Sequence, residues 1–328
     1  MKLASMTRRC FAELFLGVVA LLSPLAVSAQ AYPSKPVRIV VAFSAGGTTD
    51  ILARMLAQKL SEAMGQQFIV ENKPGAGGTV GNAFVAKSPP DGYTLLMGSA
   101  SSLAVNVSLY KSLPYDPQKD LTPLMQVATG PFVIVVNPGV PAQNMRELIA
   151  LAKAKPGEIA FGTSGNGTSL HLAGELLNTM AGIKLTHVPY KGTGPATIDT
   201  ISGVVQMTIS DMVPFVPHIA AGKLRPLAQT TLERSKLLPD LPTVAETVPG
   251  YDATSWYGLM VPGGTPQPII DKLHAELSKI MQSPDVKQRY SQLGVDPVVN
   301  TPEQFRAFIQ AETVKWAEVV KRSGAKID

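Results

Sequence analysis

Short apolar runs alternate with amphipathic segments along most of the chain after residue 33. The run VRIVVAF, residues 37–43, has the apolar character of a buried strand, and the following ILARMLAQKLSEAM repeats leucine and methionine at helical spacing up to Gly65. The alternation continues with the strand candidates QFIVEN and YTLLMGS and the helix candidate TVGNAFVAKS. Alternating strands and helices indicate a parallel sheet flanked by helices, so the pattern predicts an α/β fold with a doubly wound sheet.

A second α/β unit is predicted after residue 130. The run PFVIVVNP has the pattern of a strand that crosses out of the first unit, and EIAFGTS, KLTHVPY, VQMTISD and LRPLAQT are further strand candidates among helical segments. WYGLMVP, residues 256–262, has the pattern of a crossing back, and the rest is mostly helical. We therefore expect residues 32–130 to form the first part of lobe 1, residues 131–255 lobe 2, and residues 256–328 the return crossing and C-terminal helices on lobe 1. Two lobes joined by two crossing segments enclose a cleft.

Residues 1–31 are predicted to be an export signal. They have a basic start, an apolar stretch over residues 11–22, and small residues at Ala29 and Ala31, where cleavage fits after either position. The apolar stretch is shorter than the roughly 20 residues of a permanent membrane anchor. Arg8 and Arg9 resemble a twin-arginine signal, although Ala12 replaces the leucine that this signal favours, so ordinary secretion and twin-arginine export both stay open. The predicted location is the periplasm.

The amino-acid composition limits the kinds of site and ligand that the chain can have. The only cysteine is Cys10, within the predicted signal, so the exported chain would have no disulfide and no thiolate for a metal or for catalysis. The formal net charge is +5, and the basic residues are scattered without the basic stripe and interleaved aromatics that nucleic-acid binding requires. A mild positive balance suits anionic solutes.

The segment VAFSAGGTTD, residues 41–50, places a glycine pair and two threonines between a predicted strand and a predicted helix. Glycines let the backbone approach a ligand closely, and the free N–H groups of a helix N-terminus favour an anion. In open α/β sheets ligands bind at the carboxyl ends of the strands, where this segment lies. A capped glycine turn without a ligand is the alternative. The predicted ligand contacts in this first loop are Phe43, Ala45, Gly46, Gly47, Thr48, Thr49 and Asp50.

A second loop repeats this design in the second lobe. EIAFGTSGNGTSLHLAGELL contains a strand, then glycines and hydroxyl residues without a charge, then a helix. The G-x-S-x-G elbow of a nucleophilic serine does not fit, because Asn166 occupies the position of its last glycine. Two loops, one in each lobe, would aim two helix N-termini into one cleft. The predicted contacts are Ser164, Gly165, Asn166, Gly167, Thr168 and Ser169.

Three further segments contain candidate ligand-binding residues. The predicted loop GSASSLAVN, residues 98–106, offers Ser99 and Ser101, which either line the cleft or cap a helix. Asp211 ends a predicted strand, where it would orient a ligand amine, a hydroxyl or a water, or cap a helix. The segment PYKGTGPA places Tyr190 at the rim, together with a solvated Lys191.

The sequence predicts neither a cofactor nor a metal. The glycines of KPGAGGTVG miss the spacing of a dinucleotide loop, and the segment lacks the lysine and hydroxyl pair of a P-loop. His171 and Glu175 lie one helical turn apart, but the other histidines are scattered over other elements.

Several of these segments together are similar to the tripartite tricarboxylate transporter receptor family, the Bug-type extracytoplasmic solute receptors. They are YPSKPVRIVVAFSAGGTTDILAR, VENKPGAGGTVGNAFVAKSPPDGYTLLMGS, FGTSGNGTSLHLAGELL, HVPYKGTGPA and SWYGLMVPGGTP, and they span the chain after the signal in family order. The resemblance implies a two-lobed periplasmic binding protein of type II that closes on a small carboxylated ligand. In that family the two loops, which match residues 45–50 and 164–169 here, hold the carboxylate through main-chain groups and water.

The resemblance also implies partners: the small and large membrane subunits of a tripartite tricarboxylate transporter. Ligands in the family include citrate and other dicarboxylates, acidic amino acids, nicotinate and aromatic acids. We expect a monomer without enzymatic activity and without nucleic-acid binding. Two alternatives stay open: a sensor subunit that presents its ligand to a membrane signalling protein, and an exported enzyme acting on a carboxylated substrate.

Overall fold

The computed structural model describes residues 32–323, so the predicted export signal and the last five residues lie outside the described part. Residues 32–34 belong to an N-terminal unit, and a second, compact unit begins at Lys35. The elements, the sheet and the cavity described below all belong to this second unit.

Strands and helices alternate through the second unit much as the hydrophobic pattern predicts. Its described strands are β1 Val37–Val41, β2 Phe68–Asn72, β3 Thr94–Ser99, β4 Leu121–Val136, β5 Ala160–Thr163, β6 Thr186–Pro189, β7 Met207–Asp211, β8 Arg225–Gln229, β9 Thr254–Pro262 and β10 Asp296–Pro297. Its described helices are α1 Thr48–Met64, α2 Thr79–Ala86, α3 Asn106–Leu109, α4 Met145–Ala154, α5 Ser169–Ala181, α6 Thr193–Ser202, α7 Val216–Ala220, α8 Gln267–Gln282, α9 Pro284–Gln292 and α10 Pro302–Ser323.

One curled sheet connects two α/β lobes through the long strand β4. The strands follow the order β2-β1-β3-β9-β4-β7-β5-β6, and β8 and β10 also pair with β4. Residues 121–131 of β4 pair with β9, whereas residues 132–136 pair with β7 and β8, so β4 passes from one lobe to the other between Pro131 and Phe132. Strand β9 pairs with β4 from Thr254 to Pro262 and with β3 over residues 257–260, which places it in the first lobe from Thr254 onward.

The C-terminal helix α10 packs against elements of both lobes. It contacts β4 and α3 on one side and α5 on the other. The buried carboxylate of Glu312 accepts hydrogen bonds from the indole N–H groups of Trp256 on β9, at 2.8 Å, and of Trp316 on α10, at 3.0 Å. The bond from Trp256 holds α10 to the strand that returns to the first lobe, and the bond from Trp316 fixes the Glu312 side chain within α10.

The segment predicted as a loop over residues 98–106 is mostly regular structure. Strand β3 continues to Ser99, and a π-helical turn spans Ser101–Val105 before α3. Leu103, Ala104 and Val105 are buried in the hydrophobic core, which draws the chain inward immediately after the strand. The serines suggested a loop because the pattern of polar residues alone does not report that they, too, are buried.

Candidate functional site

A small enclosed cavity lies where the carboxyl ends of strands from both lobes meet. Its volume is about 30 Å³, and it is bounded by residues at or just after the carboxyl ends of β1, β3, β5 and β7, by Thr193, and by residues of both crossing strands. This is the position at which ligands bind in open α/β sheets. The lining residues are Phe43, Ser44, Gly47, Thr48, Thr49, Ser99, Ala100, Ser101, Phe132, Ser164, Ser169, Leu170, Thr193, Asp211, Ser255, Trp256 and Tyr257.

Three helices begin at the wall of this cavity. Helix α1 begins at Thr48 in the first lobe, and α5 and α6 begin at Ser169 and Thr193 in the second. The first residue of each helix lines the cavity. The N–H groups of a first helical turn have no partner within their helix, and the helix dipole places partial positive charge there. The cavity is therefore suited to an anionic group.

Several hydroxyl groups at the cavity have no hydrogen-bond partner in the described part of the chain. The side-chain oxygens of Ser44, Thr48 and Ser99 are buried and unpaired. The Thr48 hydroxyl lies beside Asp211 and Tyr257, close enough to favour the charged forms of both, but it forms no hydrogen bond of acceptable geometry with them. Unpaired buried polar groups are rare in folded proteins, and these hydroxyls are available to form hydrogen bonds with a group placed in the cavity.

The acidic group of the cavity is Asp211 at the end of β7. Its two carboxylate oxygens accept hydrogen bonds from the hydroxyls of Ser255 and Tyr257 on β9. Burial raises the pKa of Asp211, while the hydroxyl donors act in the opposite direction. Burial and the neighbouring carboxyl group hold the pKa of Tyr257 well above its usual value, so that this phenol keeps its proton. None of the lining residues is a lysine, arginine or histidine.

The loops of the two lobes touch each other above the cavity. The N–H of Ser44 donates to the carbonyl oxygen of Lys191 at 2.8 Å. On another side, the N–H of Ser169 donates to the hydroxyl oxygen of Ser101 at 3.0 Å, and the two hydroxyls lie 2.8 Å apart. Each contact joins a residue of one lobe to a residue of the other. The structure is therefore that of a closed cleft.

The contact between residues 44–47 and residues 191–194 requires glycine at two positions, because neither position has space for a Cβ atom. A Cβ on Gly194 would lie 2.4 Å from the carbonyl oxygen of Ala45, and a Cβ on Gly47 would lie 2.7 Å from the hydroxyl oxygen of Thr193. In both cases the obstructing atom belongs to the opposite lobe. Main chain packs against main chain at this contact, which we call the glycine latch, formed by residues 44–47 and 191–194.

The structure brings many of the residues predicted from the sequence to the cavity wall and places the others nearby. Those at the wall are Phe43, Gly47, Thr48, Thr49, Ser99, Ser101, Ser164, Ser169 and Asp211. Gly165, Asn166 and Tyr190 line a neighbouring open pocket of about 400 Å³, which shares Phe43 and Ser164 with the cavity. Ala45, Gly46, Asp50, Gly167 and Thr168 line neither space.

Asp50 supports the first loop from behind. Its carboxylate accepts hydrogen bonds from the N–H of Gly46, at 3.0 Å, and from the side chains of Arg54 and Asn72. Burial raises the pKa of Asp50, but these bonds outweigh burial and hold it below its ordinary value. With its oxygens engaged in this way, Asp50 fixes the shape of the loop without lining the cavity.

Two histidines support the second loop in the same way. The N–H of Gly167 donates to Nδ1 of His171 at 3.1 Å, and Nε2 of His187 lies 2.6 Å from the hydroxyl oxygen of Thr163. The two imidazole rings are stacked with their centroids 3.9 Å apart. Thr168 caps α5 by accepting a hydrogen bond from the N–H of His171. Burial lowers the pKa of His171 to about 4, and burial together with His171 lowers that of His187 to about 3.

Sequence reasoning missed several residues of the wall. Thr193 lies within the segment PYKGTGPA, whose Gly-Thr-Gly before a helix repeats the glycine and hydroxyl pattern of the first loop. Ser255 and Tyr257 are two residues apart on β9, a spacing that places both side chains on one face of a strand. The other residues missed are Ser44, Ala100, Phe132, Leu170 and Trp256.

No described helix combines the length and the apolar character needed to cross a membrane. The described histidines and acidic residues form no group of three or more that could hold a metal ion.

Known proteins match the chain over nearly its whole length. Residues 52–325 match the profile of the tripartite tricarboxylate transporter family receptor. The protein BugT of Bordetella pertussis is 41% identical over 316 residues, which cover 96% of each chain. A solved periplasmic transporter is 39% identical with a TM-score of 0.87 and covers 91% of this chain and 100% of its own. Rpa4515 of R. palustris, solved with adipate, is 37% identical with a TM-score of 0.87 and covers 90% of this chain and 100% of its own.

These similarities agree with the architecture described above. The chain has the two-lobed α/β fold of type II periplasmic binding proteins. It belongs to the tripartite tricarboxylate transporter receptor family.

Proposed function

We propose that this protein is a periplasmic receptor that encloses a small carboxylated metabolite between its lobes and delivers it to the membrane subunits of a tripartite tricarboxylate transporter. The observation that carries this proposal is the convergence of three helix N-termini and three unpaired hydroxyls on one enclosed cavity. The adipate held by Rpa4515 supports a carboxylate as the ligand class. The candidate ligands are di- and tricarboxylates, acidic amino acids, nicotinate and aromatic acids.

The contacts available at the cavity are sufficient for useful affinity. A hydrogen bond to a charged group contributes about 1.5–3 kcal/mol, and a helix N-terminus adds about 0.3–1 kcal/mol. Four or five such contacts, after the costs of association, reach the roughly 8 kcal/mol of a micromolar complex. Binding by N–H and hydroxyl groups therefore needs no arginine or lysine at the wall.

Export, cleavage and the division of the chain into lobes follow the same proposal. We propose that residues 1–31 direct export and are removed after Ala29 or Ala31, and that the mature protein acts without catalysis. Residues 32–130 and 256–328 would form one lobe and residues 131–255 the other. Closure around the ligand would create the surface that the membrane subunits recognise, because a ligand that contacts both lobes favours the closed state.

A binding screen tests the proposal. The protein without residues 1–31 is unfolded and refolded to remove any captured ligand, and its unfolding midpoint is then measured with each candidate acid and with NAD. An acid present at 100 times its dissociation constant stabilises the folded state by about 2.7 kcal/mol, which raises the midpoint measurably. We expect a shift with one class of acid and recovery of that acid unchanged. A shift with NAD alone, no shift with any acid, or turnover of a bound acid would contradict the proposal.

A further inference from the structure

Asp211 differs in chemistry from the other polar groups of the cavity wall. Its surroundings consist of hydroxyl and N–H groups, which can donate hydrogen bonds, whereas an ionised carboxylate only accepts them. Asp211 is 1% exposed, and its carboxylate oxygens each accept one hydrogen bond, from Ser255 and from Tyr257. A carboxylate accepts up to about four hydrogen bonds, so Asp211 retains acceptor capacity beyond these two, although its own N–H and the Thr48 hydroxyl also lie close to it.

A simple carboxylate would fit this wall poorly at the Asp211 side. Two carboxylates in one small cavity repel each other, and the wall contains no lysine, arginine or histidine to offset their charge. Burial raises the pKa of Asp211, whereas the hydroxyls of Ser255 and Tyr257, which donate to its two oxygens, favour its ionised form. A donor on the ligand that pointed at Asp211 would remove the repulsion and use the free acceptor capacity.

We propose that Asp211 selects ligands that carry a hydrogen-bond donor, a hydroxyl or an ammonium group, on the carbon next to the carboxylate held by the helix N-termini. The hydroxyl of Thr48, the first residue of α1, lies beside the Asp211 carboxylate, so a ligand carboxylate held at that helix N-terminus brings its adjacent carbon next to Asp211. The preferred ligands are then 2-hydroxy or 2-amino acids. This inference rests on the proposed function, because it assumes that the cavity holds a carboxylate.

If Asp211 had a purely structural role, its loss would change the affinities for acids in a different way. Asp211 joins β7 to β9 beside the point where β4 changes lobes, so its bonds to Ser255 and Tyr257 also fix the crossing. Loss of a structural tie weakens the binding of every acid by a similar factor. Loss of a recognition contact changes the ratio of affinities between acids with and without the donor.

The test uses triplets of acids that differ at one carbon only. Calorimetry measures the affinity of the ligand-stripped protein for propionate, lactate and alanine, for succinate, malate and aspartate, and for glutarate, 2-hydroxyglutarate and glutamate, with adipate as a further acid without a donor. In the best-bound triplet we expect a donor-bearing acid to bind about 10- to 100-fold tighter than the acid without one, the range of a hydrogen bond to a charged group. The order of the hydroxy and amino acids identifies which donor is used.

Two variants then assign the preference to Asp211. In Asp211→Asn, which keeps the size of the side chain, we expect the ratio between donor-bearing and donor-free acids to fall at least tenfold. In Tyr257→Phe, which keeps the carboxyl group and removes one of its partners, we expect the ratio to persist even where all affinities decrease.

The results separate this inference from the proposed function. Tightest binding by adipate or another donor-free acid in the unmodified protein would overturn the inference and leave the receptor function in place. An unchanged ratio in Asp211→Asn, with every acid weakened equally, would assign Asp211 a structural role and also overturn it. Failure of every acid to bind the unmodified protein would overturn both. The triplets in the unmodified protein provide this test even if Asp211→Asn does not fold.

Discussion

Ser99 and Ser102 are two buried serines, three residues apart, whose hydroxyl groups differ in hydrogen bonding. The Ser99 hydroxyl lies at the cavity wall without a partner, whereas the Ser102 hydroxyl lies away from the wall and accepts a hydrogen bond from the N–H of Ser99 at 3.4 Å. An unpaired buried hydroxyl costs stability, and a paired one usually contributes to it. The two serines therefore separate the requirements of ligand binding from those of folding.

Replacing each serine by alanine should affect different properties. We expect Ser99→Ala to leave the unfolding midpoint of the ligand-free protein unchanged or raise it, and to weaken binding of the tightest acid by about 10- to 100-fold. We expect the matched control Ser102→Ala to lower the midpoint and to change the affinity little. Calorimetry and thermal unfolding measure the two effects. A large loss of stability in Ser99→Ala with full affinity would assign its hydroxyl to folding.

The sequence predicted single residues best where the pattern is local. Glycines and hydroxyls between a strand and a helix identified both loops, because helix capping and close backbone approach depend on adjacent residues. The same pattern predicted a ligand contact at Asp50, yet Arg54 one turn later and Asn72 on β2 donate hydrogen bonds to its oxygens. Which hydroxyls keep a free hydrogen bond depends on distant parts of the chain, and one sequence does not contain that information directly.

At the scale of elements, the hydrophobic pattern located the described strands β1, β2 and β3 and helices α1, α2 and α5 closely. The predicted crossing strand was too short at its start, because β4 begins at Leu121, ten residues earlier than predicted. The first half of β4 contains Pro123 and Gln126 and pairs with β9, and β10 joins it only at Ala128 and Thr129, so its strand character comes from neighbours that are distant in sequence. The contribution of α6 to the cavity was missed for the same reason, because the fold alone brings Thr193 to Gly47.

The stacked histidines make the second loop sensitive to acid. Nδ1 of His171 accepts the N–H of Gly167, so it must be unprotonated, and a positive charge at the N-terminus of α5 is unfavourable. Both histidines have a pKa below their ordinary value in the folded protein. The unfolded chain therefore binds more protons below about pH 6.5, and stability decreases as the pH falls from there towards about 4.

We expect the unfolding midpoint to fall by roughly 5–10 °C between pH 7 and pH 5. Each histidine loses about 2 kcal/mol of stabilisation at pH 5, since one pKa unit corresponds to about 1.4 kcal/mol. The double variant His171→Asn with His187→Gln keeps an amide oxygen or nitrogen near each ring nitrogen and should flatten this dependence. His218→Gln, outside the pair, serves as the control and should retain it. An equally steep dependence in the double variant would contradict a role for the pair.

At the scale of the whole molecule, closure brings the two sides of the glycine latch together. The contacts join residues 44–47 of one lobe to residues 191–194 of the other and involve main-chain atoms on both sides. We expect such contacts to form whatever acid lies beneath them, so that the latch contributes to closure and the cavity wall to selectivity. The ligand and the latch then favour the same closed state.

A single methyl group at the latch should prevent full closure without disturbing either lobe. We expect Gly194→Ala, whose Cβ would lie 2.4 Å from the carbonyl oxygen of Ala45, to reduce affinity for the tightest acid at least tenfold. X-ray scattering of the unmodified protein should become more compact when that acid is added, and the variant should stay near the dimensions of the ligand-free form. Ser202→Ala, at the other end of α6, is the matched control and should close normally. The unfolding midpoint without ligand should be the same in all three proteins, because the obstruction arises only when the lobes meet. Full compaction and full affinity in Gly194→Ala would mean that the loops separate freely in the loaded protein and that the latch has no part in closure.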